Sequence, residues 1–327
     1  MSESGTEIDL SVIICTYNRS GNLPAVIQKL EEQVGVEGIA WEIVVVDNNS
    51  SDDTAEVVAR LAGESPLCVC YVFEPEQGLN HARNRGVQEA KGRYVAFVDD
   101  DILVDENWLR WFYRSLVDHD ADATGGRIHL DKDIALPRWI TRDMYGFLGY
   151  QDFGDEPFRM DGKTKYPFGG NMAFNKRIFE KVGMFNVRVG RKGEGKKRGE
   201  LFKGAETELF RRMAEYPESV IVYEPNAIVY HQVLSRQITK RYFITIHYNA
   251  GYQKATNDTH TYGRRFHGVP LFLFAHTVRS IWRYLWQCAT CGRDDAFRQL
   301  MTVGNFVGQL RGYWHKSGAA DGWVAEG

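Results

Sequence analysis

The sequence lacks any long hydrophobic run. The longest candidate, residues 269–275, has seven residues, whereas a membrane-spanning helix needs about 18 or more apolar residues in succession. The first ten residues are polar and acidic, without the basic and then apolar layout of a signal peptide. We therefore expect a cytoplasmic protein whose contact with a membrane is at most peripheral, at the inner face.

Cysteine is scarce as well. The five cysteines have no framework spacing, which favours a reduced cytosolic protein over a disulfide-stapled secreted one. The only Cys-x-x-Cys pair, Cys288 and Cys291, has neither a second pair nor flanking histidines. Because a structural zinc site needs four ligands, this pair does not indicate one.

A basic excess is also missing. The chain of 327 residues has 40 Lys and Arg against 43 Asp and Glu, a formal charge of −3. Proteins that coat nucleic acid carry a strong positive charge, so we expect no nucleic-acid partner. The charge is uneven, however, because residues 262–316 contain eight basic and two acidic side chains. An acidic body with a basic tail indicates two different working surfaces.

The first half of the chain alternates strand and helix patterns. Short apolar runs typical of buried strands occupy residues 10–15, 42–47, 68–73 and 94–98. Helical patterns lie between them, over 22–33, through residue 62, and over 78–90. This alternation predicts an α/β fold, with a mostly parallel sheet covered on both faces. Ligands of such sheets bind beyond the carboxyl ends of the strands, and polar clusters follow the first, second and fourth runs.

The second half of the chain lacks this regular alternation of strand and helix patterns. Residues 131–168 show no period, which predicts loops or edge strands. Residues 190–204 contain five glycines and six Lys or Arg, so they bury little surface and are predicted to be mobile. A helix over 206–214 and a strand over 219–223 follow. Two further helical patterns between residues 269 and 310 predict a helical extension, which divides the chain into 1–261 and 262–327.

The acidic triplet Asp99-Asp100-Asp101 is the strongest single feature. Adjacent carboxylates at a strand end repel one another, and keeping all of them ionised usually requires a cation. Their hard oxygens suit Mg²⁺ or Mn²⁺, which typically bridge protein carboxylates to a diphosphate. A solvated turn or the cap of a following helix remains an equal alternative.

Five other polar side chains follow the predicted strands or lie near the start of a helix. Thr16, Asn18 and Arg19 offer hydrogen-bond donors suited to a nucleotide at the end of the first strand, although Arg19 alone is more typical of a surface charge. Asp47 ends the second strand and is placed either to accept from a base or ribose or to form an Asx turn. Arg83 presents a planar fork that fits phosphate, with an exposed helix charge as the alternative.

Residues in three later segments have both a functional and a structural interpretation. Gly170 and Asn171 permit close approach of the backbone to a ligand, or form a plain turn. Glu206 and Glu208 open a helix directly after the glycine-rich loop, where the helix dipole favours a carboxylate in any protein and where a general base would lie beneath a closing loop. His231 by itself is more typical of a structural histidine.

The order of these segments is more specific than any one of them. The sequence resembles the family 2 glycosyltransferases in a series of motifs: SVIICTYNR (11–19), IVVVDNNSSDDT (43–54), G…ARN (78–84), FVDDD (97–101), FGGNMA (168–173), ETEL (206–209) and YH (230–231). The similarity covers residues 10 to about 245, three-quarters of the chain. It implies a GT-A fold, a nucleotide-binding α/β sheet, and transfer of a sugar from a nucleotide sugar with inversion at the anomeric carbon.

The resemblance also implies roles for the nucleotide-binding positions. Thr16, Asn18 and Arg19 match the nucleotide-pocket segment, Asp47 matches the acid that recognises the base, and Arg83 matches a donor contact. The remaining positions that we expect to bind the donor are Asp99, Asp100, Gly170, Asn171 and Arg236.

The metal and catalytic positions follow in the same way. Asp99 and Asp101 match the DxD pair, with Asp101 the direct metal ligand and Asp99 nearer the ribose, and His231 matches a third metal ligand. Glu206 matches the catalytic base. The family commonly has Glu-Asp there, whereas this sequence has Ala205-Glu206, so the longer side chain sets the acceptor hydroxyl slightly further from the helix.

The implied partners are a nucleotide-sugar donor, which we expect to be a UDP-sugar, a divalent cofactor, Mn²⁺ or Mg²⁺, and a hydroxyl acceptor in a carbohydrate, glycolipid or other glycoconjugate. The sequence also allows two functions other than glycosyl transfer, that of a sugar nucleotidyltransferase and that of a non-catalytic carbohydrate-binding protein. The nucleotidyltransferase is disfavoured because residues 16–20 do not form a glycine-rich phosphate loop.

The helical extension has two interpretations. Its Trp-rich face with Arg279 and Arg283 suits peripheral contact of residues 262–316 with an anionic membrane. The alternative is that this face packs on the catalytic domain or on another copy of the chain, as in a homodimer.

We predict that the loop over residues 190–204 becomes ordered when the nucleotide sugar binds, because its Lys and Arg side chains are suited to pair with the diphosphate. Trypsin cleavage within the loop should therefore slow in the presence of donor and divalent metal. Equal cleavage of the loop with and without donor would count against this prediction.

Overall fold

A computed structural model describes residues 7–193, 198–202 and 204–320, and the chain divides into two compact units. The first comprises residues 1–134, 145–194 and 204–233, and the second comprises 135–144, 195–203 and 234–327. The helices and strands, in chain order, are β1 (Leu10–Thr16), α1 (Leu23–Glu31), β2 (Trp41–Asp47), α2 (Thr54–Glu64), β3 (Val69–Phe73), α3 (Leu79–Glu89), β4 (Tyr94–Asp99), β5 (Ile102–Val104), α4 (Trp108–Asp118), β6 (Ala123–Leu130), β7 (Phe158–Arg159), β8 (Asn171–Asn175), α5 (Arg177–Val182), α6 (Ala205–Met213), β9 (Ile221–His231), α7 (Lys240–Asn257), β10 (Arg265–Phe266), β11 (Val269–Pro270), α8 (Leu271–Thr290) and α9 (Phe297–Ala320).

The first unit is built on one sheet, in the order β3-β2-β1-β4-β8-β6-β9-β5, with β7 paired to β9. The strands β3, β2, β1 and β4 are parallel, as the sequence predicts. Beyond β4 the pairing becomes mixed, because β8 runs antiparallel to both β4 and β6 while β6 and β9 are parallel. The α/β class is therefore confirmed, with an antiparallel strand in the middle of the sheet.

Both faces of the parallel strands are buried, which explains why their sequences are continuously apolar. In β1, Val12 and Ile14 enter one core together with α1 and α4. Ile13 and Cys15 enter a second core on the other face, where Phe97 and Phe174 are among the packed side chains. Successive side chains of a strand point to opposite faces, so one apolar run serves both cores.

The register of the parallel strands brings their polar ends together. Thr16 pairs with Asp47 across β1 and β2, and Cys15 pairs with Asp99 across β1 and β4. Three separate polar segments of the sequence therefore begin at one edge of the sheet. This is the edge at which ligands of parallel sheets bind.

The other predicted elements are largely confirmed. The helices expected over 22–33, 78–90 and 206–214 correspond to α1, α3 and α6, and the extension contains the two expected helices α8 and α9. Residues 131–168 contain the 3-10 helix Arg142–Leu148 and the short strand β7, and otherwise turns and loops. Of the loop predicted to be mobile, residues 194–197 and 203 lie outside the described residues.

In the second unit, α7 and α9 approach each other closely through glycines. Gly304, Gly308 and Gly312 recur every four residues and so share one face of α9. A Cβ on Gly308 would overlap the backbone carbonyl oxygen of Tyr248, and a Cβ on Gly251 would overlap that of Asn305. The two backbones are therefore in contact at these positions, where no larger residue fits.

The boundary that the sequence suggests after residue 261 falls within the second unit, whose C-terminal segment begins at residue 234. The difference arises because α7 packs on α9 through these glycines, so it belongs with the C-terminal helices. The second unit also takes in Trp139, whose ring lies 5.3 Å from that of Phe243 and 4.8 Å from that of Phe297. Sequence periodicity does not report such a contact between distant segments.

Within the part of the chain that the structure describes, no helix is both long enough and apolar enough to cross a membrane.

We predict opposite effects for the same substitution at two positions of α9. Gly308→Ala should lower the free energy of unfolding by about 1–3 kcal/mol, because the new methyl group overlaps the backbone of α7. Gly304→Ala is the matched control: its Cβ would lie 3.5 Å from Ile244, an ordinary contact, and alanine has the higher helix propensity. Urea unfolding of the two variants measures the difference, and equal stabilities would contradict the packing described.

Candidate active site

A cleft opens in the first unit at the carboxyl ends of β1, β2 and β4. It is lined by Cys15, Thr16, Tyr17, Arg19, Asn48, Leu79, Ala82, Asp99, Asp100, Asp101, Arg191 and Gly193. The structure thus brings together Thr16, Arg19 and the acidic triplet, which the sequence separates by about eighty residues. Acidic and basic side chains share this wall, so the cleft suits a ligand that carries both phosphates and a metal ion.

Asp100 is held within the protein by two donors. Thr16 Oγ1 donates to Asp100 Oδ2 at 2.8 Å, and Arg19 Nη1 donates to Oδ1 at 2.6 Å. Burial raises the pKa of this carboxyl to about 6, with the charge of Asp101 adding to the rise and Arg19 opposing it. Because both oxygens are engaged, Asp100 holds Thr16 and Arg19 in place as its main structural effect.

Asp101 faces His231, the histidine at the end of β9. Their Oδ1 and Nε2 atoms lie 3.6 Å apart, and Arg19 Nη1 donates to the other oxygen of Asp101 at 2.8 Å. Burial would raise the pKa of Asp101, but the hydrogen bond and charge of His231 and the charge of Arg19 outweigh it and hold the pKa below its usual range. Burial lowers the pKa of His231, yet its interaction with Asp101 raises it overall.

A hydrogen bond to the backbone fixes the orientation of the His231 ring. Its Nδ1 lies 2.6 Å from the carbonyl oxygen of Leu148, which makes Nδ1 the protonated nitrogen and leaves Nε2 directed towards Asp101. A carboxylate oxygen and an imidazole nitrogen at this separation form a donor set that fits Mn²⁺. Asp101 and His231 are therefore the two predicted metal ligands that the structure places side by side.

Asp99, the third predicted ligand, faces a different partner. Its Oδ1 lies 3.8 Å from Nη2 of Arg83, and its side chain is 37% exposed, so it is open to the cleft. Arg83 is 2% exposed, donates to the carbonyl oxygen of Gly169 at 3.2 Å, and has no hydrogen-bond partner for Nη1 among the described residues. A buried cation that is incompletely paired favours an anionic ligand nearby.

The two glycines at 169 and 170 make room for this pair. A Cβ on Gly169 would overlap the guanidinium of Arg83, and a Cβ on Gly170 would overlap Ile102 and come within 3.0 Å of Asp99 Oδ2. The predicted contact of Gly170 with a ligand is thus accompanied by a packing requirement. Any side chain here would displace Asp99 or Arg83.

Asp47 is fixed at the neighbouring strand end. Its Oδ1 accepts a hydrogen bond from the backbone N–H of Ser50 at 2.9 Å, and its Oδ2 accepts one from the hydroxyl of Tyr71 at 2.9 Å. Burial and the hydrogen bond to Asp47 raise the pKa of Tyr71 to about 12. Both carboxylate oxygens of Asp47 are therefore engaged within the protein, and its contact with the base or ribose stays a prediction.

Asn18 holds two loops together. It adopts a positive φ of 52°, and its side-chain oxygen accepts hydrogen bonds from the backbone and hydroxyl of Ser51, at 2.7 and 3.2 Å. The loop after β1 is thereby tied to the turn after β2. Asn18 therefore positions these two loops, and its predicted nucleotide contact stays a prediction.

Asn171 is fixed by hydrogen bonds within the protein. Its side chain is fully buried, accepts from the indole N–H of Trp108 at 2.7 Å, and donates to the carbonyl oxygens of Arg127 and Ala227, both at 2.9 Å. Both N–H groups of the amide are used within the sheet, so none is left for a donor sugar. The resemblance matched the motif correctly, but tertiary packing gives this residue a structural function.

The structure distinguishes the two candidate bases in the first turn of α6. Glu208 receives two hydrogen bonds from Arg212, at 2.8 and 2.9 Å, and Arg212 also donates to the carbonyl oxygens of Val182 and Met184. Glu206 forms no ion pair among the described residues. Its carboxylate is therefore the available one, on the element that directly follows the glycine-rich loop.

Asn48 and Arg191 line the cleft but were not identified as site residues from the sequence. Asn48 Oδ1 accepts from the backbone N–H of Gly78 and its Nδ2 donates to the carbonyl oxygen of Glu76 at 2.6 Å, which fixes the start of α3 and hence Arg83. Arg191 lines the cleft, and its charge lowers the pKa of Asp101. The sequence did contain a signal for each residue. Asn48 directly follows Asp47, and Arg191 is a basic residue at the start of the glycine-rich loop over residues 190–204.

Two other groups lie outside this constellation. Arg236, predicted as a donor contact, lies in the short 3-10 helix Ser235–Ile238 of the second unit, and its role stays a prediction. Glu42, Cys68 and Cys70 offer ligand atoms within 4.8 Å of one another. They lie at the amino ends of β2 and β3 rather than at the carboxyl edge, and Glu42 already accepts from Ser11 and Lys91.

The elements that build this cleft are those of a known family. The family model "Glycosyl transferase family 2" matches residues 11–183, more than half of the chain. The chain belongs to this family. As a family 2 glycosyltransferase it acts on nucleotide sugars in glycoconjugate or polysaccharide biosynthesis, which excludes the nucleotidyltransferase and the non-catalytic binding protein as alternatives.

Individual relatives are distant. Glucosyl-dolichyl phosphate glucuronosyltransferase of Haloferax volcanii is 22% identical over 256 residues, 76% of this chain and 77% of the relative. Succinoglycan biosynthesis protein ExoM of Rhizobium meliloti is 22% identical over 277 residues, 84% and 79%. GalNAc(5)-diNAcBac-PP-undecaprenol beta-1,3-glucosyltransferase of Campylobacter jejuni is 38% identical over 93 residues, 28% of this chain and 29% of that protein.

Solved structures confirm the fold. A mannosyltransferase of Pyrobaculum calidifontis, in complex with GDP-Man and Mn²⁺, is similar with a TM-score of 0.60 and 20% identity, over 94% of this chain and 87% of that one. S. aureus TarS in complex with UDP has a TM-score of 0.52 and 16% identity, over 98% and 93%. The GT-A fold that the resemblance implied is therefore the fold of this glycosyltransferase.

We predict that Asn171→Ala destabilises the first unit by at least about 2 kcal/mol, because it leaves a buried indole N–H and two buried carbonyl oxygens without partners. Asn226→Ala, which removes only a local hydrogen bond to Glu224, should cost less than about 1 kcal/mol. Thermal or urea unfolding provides the comparison. A stable Asn171→Ala variant that had lost only donor binding would restore the original interpretation.

Proposed function

We propose that this glycosyltransferase transfers a sugar from a nucleoside diphosphate sugar to an acceptor hydroxyl with inversion at the anomeric carbon. Glu206 serves as the general base, and Asp101, His231 and Asp99 hold a divalent metal. The observation that carries the proposal is the contrast in the first turn of α6, where Arg212 engages Glu208 while Glu206 has no ion pair among the described residues.

An inverting transfer suits a site with one available carboxylate. The acceptor hydroxyl attacks the anomeric carbon from the face opposite the leaving diphosphate, and one base accepts its proton as the new glycosidic bond forms. No enzyme nucleophile is needed, because the configuration changes in a single displacement. Glu206, in the first turn of α6, supplies the base that accepts this proton.

The leaving diphosphate needs positive charge on the opposite wall of the cleft. Arg83 and Arg19 are cations at the carboxyl edge of the sheet, and Nη1 of Arg83 has no partner among the described residues. Both are placed to stabilise the charge that develops on the departing phosphate oxygens. Thr16 and Asp47, fixed in register on neighbouring strands, flank the place where the nucleoside would lie.

The donor set of Asp101 and His231, with Asp99 open to the cleft, fits a divalent ion of the Mn²⁺ type. Such an ion, when bound, neutralises the diphosphate and improves it as a leaving group. The mannosyltransferase with GDP-Man contains Mn²⁺, and so does GalNAc-T7 with UDP. We propose Mn²⁺ and a UDP-sugar for this chain, since two of these structural neighbours were solved with UDP.

We propose further that the acceptor is a sugar carried on a membrane lipid. Two of the relatives bear the names of enzymes that act on dolichyl phosphate and undecaprenyl diphosphate glycans. A lipid-linked acceptor requires the enzyme to work at a membrane surface, and α8 exposes apolar side chains suited to such contact. The enzyme would then be peripheral, as the basic C-terminal segment suggests.

Glu206→Gln should reduce kcat by about 10²–10⁴-fold with little change in donor affinity, because glutamine retains the size of the side chain but accepts no proton. The matched control is Glu208→Gln, which breaks a half-buried ion pair with Arg212 and should cost only about 0.3–1 kcal/mol of stability while retaining kcat. Donor turnover with Mn²⁺ and the anomeric configuration of the product by NMR are the measurements. A Glu206→Gln variant with wild-type kcat, or a product that retains the donor's configuration, would refute the mechanism.

A further inference from the structure

The second unit exposes a continuous set of apolar side chains, which we call the apolar ridge. It consists of Phe266 on β10 and Phe272, Phe274, Val278, Ile281, Trp282, Leu285 and Trp286 on α8. Val278, Trp282 and Trp286 are each at least 60% exposed. The rings of the two tryptophans stack on each other, with centroids 5.9 Å apart and planes at 14°. Apolar surface of this extent usually marks an interaction site.

The ridge lies on the side of α8 opposite to its buried side. The buried residues are Leu273, Thr277 and Ser280, and Ser280 Oγ accepts a hydrogen bond from Gln299 of α9 at 2.6 Å. A helix on the surface of a protein in water normally buries its apolar stripe and exposes its polar one. Here two of the three buried residues are hydroxyl residues and the most apolar face is exposed, so the ridge is suited to an apolar surface outside the chain.

Positive charge borders the ridge. Arg279 and Arg283 are both exposed and lie one turn apart on α8, next to the tryptophans. The segment 262–316 has a net charge of +6, from eight basic and two acidic side chains. An exposed apolar stripe with tryptophans and flanking arginines is the pattern of a helix that lies in the headgroup region of an anionic membrane.

A cavity of about 440 Å³, which we call the headgroup cavity, lies in the same unit. Its walls are Asp258, His260, Tyr262, Arg265, Gly268, Tyr313, Lys316 and Ser317. The carboxylate of Asp258 is occupied, since it accepts from the hydroxyls of Tyr262 and Tyr313 and from the backbone N–H of His260. Arg265 forms no hydrogen bond or ion pair among the described residues, so its charge is available to an anion.

A two-residue hairpin joins the cavity to the ridge. His267 and Gly268 both have positive φ, 44° and 75°, as a tight turn between β10 and β11 requires. Successive side chains of β10 point to opposite faces, so Arg265 lines the cavity while the ring of Phe266 lies 6.3 Å from that of Phe274 on the ridge. The ring of Tyr262, in the cavity wall, packs on that of Phe272 in the ridge, with centroids 5.4 Å apart.

We propose that the apolar ridge and the headgroup cavity together form a binding site for anionic membrane lipid. The ridge enters the boundary between headgroups and acyl chains, and the cavity takes the phosphate of one lipid through Arg265 and Lys316. This proposal rests on the membrane-bound acceptor proposed above and adds the residues that bind the surface and the lipid charge that they select.

A bilayer fits this surface better than a second copy of the chain. In a symmetric dimer the same patch meets itself, which would bring Arg279 and Arg283 of the two copies close together without acidic partners. Anionic headgroups supply the missing negative charge along the whole border. Charge complementarity therefore favours lipid as the occupant, and oligomeric state becomes an outcome of the test.

The test is co-flotation of the full-length protein with vesicles of phosphatidylcholine alone or of phosphatidylcholine mixed with phosphatidylglycerol. The wild type should bind the anionic vesicles and bind neutral ones at least about ten-fold less well. Trp282→Glu with Trp286→Glu should abolish binding to both. Arg265→Glu should weaken binding to anionic vesicles by at least about ten-fold and leave the weak binding to neutral vesicles unchanged, because it reverses one charge without altering the ridge.

Two substitutions on the first unit serve as controls. Val117→Glu places a charge on an exposed apolar position of α4, and Lys163→Glu reverses an exposed positive charge. Both should bind vesicles as the wild type does. Melting temperatures of all variants by circular dichroism ensure that loss of binding is compared only among folded proteins, and Trp282→Ser with Trp286→Ser replaces the glutamate pair if that pair unfolds.

Three results would overturn the proposal: no binding of the wild type to anionic vesicles, equal binding of the ridge variants and the Val117→Glu control, or equal binding of Arg265→Glu and Lys163→Glu. A wild-type dimer that the ridge variants convert to monomer, without vesicle binding, would identify a second copy as the occupant. Donor hydrolysis in solution with Mn²⁺ is measured alongside. It should persist in every variant, so loss of lipid binding and failure of the proposed transferase activity are told apart.

Discussion

The structure of the catalytic unit depends on placing three carboxylates at the end of one strand. Asp99, Asp100 and Asp101 repel one another, and the burial of Asp100 and Asp101 makes this repulsion stronger. The fold meets the cost with cations from three separate segments: Arg19 on Asp100 and Asp101, Arg83 beside Asp99, and Arg191 near Asp101. His231 and Thr16 complete the set of partners. The same balance prepares the cleft for a ligand that carries both positive and negative charge.

Much of the surrounding structure exists to hold these cations and carboxylates in place. Gly169 and Gly170 leave space for Arg83 and Asp99, while Asn48 fixes the turn from which α3 presents Arg83. Asn171 ties three strands and α4 together immediately beside them. Motif residues of this family thus divide into those that face the cleft and those that keep the facing residues in position. Only the tertiary contacts separate the two groups.

The second unit follows a different rule. Close glycine contacts hold α7 against α9, so the buried contacts of this unit use backbone and small side chains as well as apolar ones. The apolar side chains of α8 remain exposed. The periodicity of the sequence predicts that α8 is a helix with one apolar face, but it does not show whether that face is buried or exposed. The structure decides this, because the buried residues of α8 are Leu273, Thr277 and Ser280.

The amino-acid sequence by itself determined the α/β class, the positions of the parallel strands and most helices, the family, and the group of polar residues at the strand ends. These depend on local patterning and on ordered motifs, which are properties of the chain. Tertiary structure decided the rest: Asn171 and Asn18 tie strands and loops together, Arg212 engages Glu208 and leaves Glu206 available, and α7 groups with the C-terminal helices, in a segment that begins at residue 234. Each of these outcomes rests on which distant groups share a hydrogen bond or a packed surface, and spacing along a chain contains no record of that.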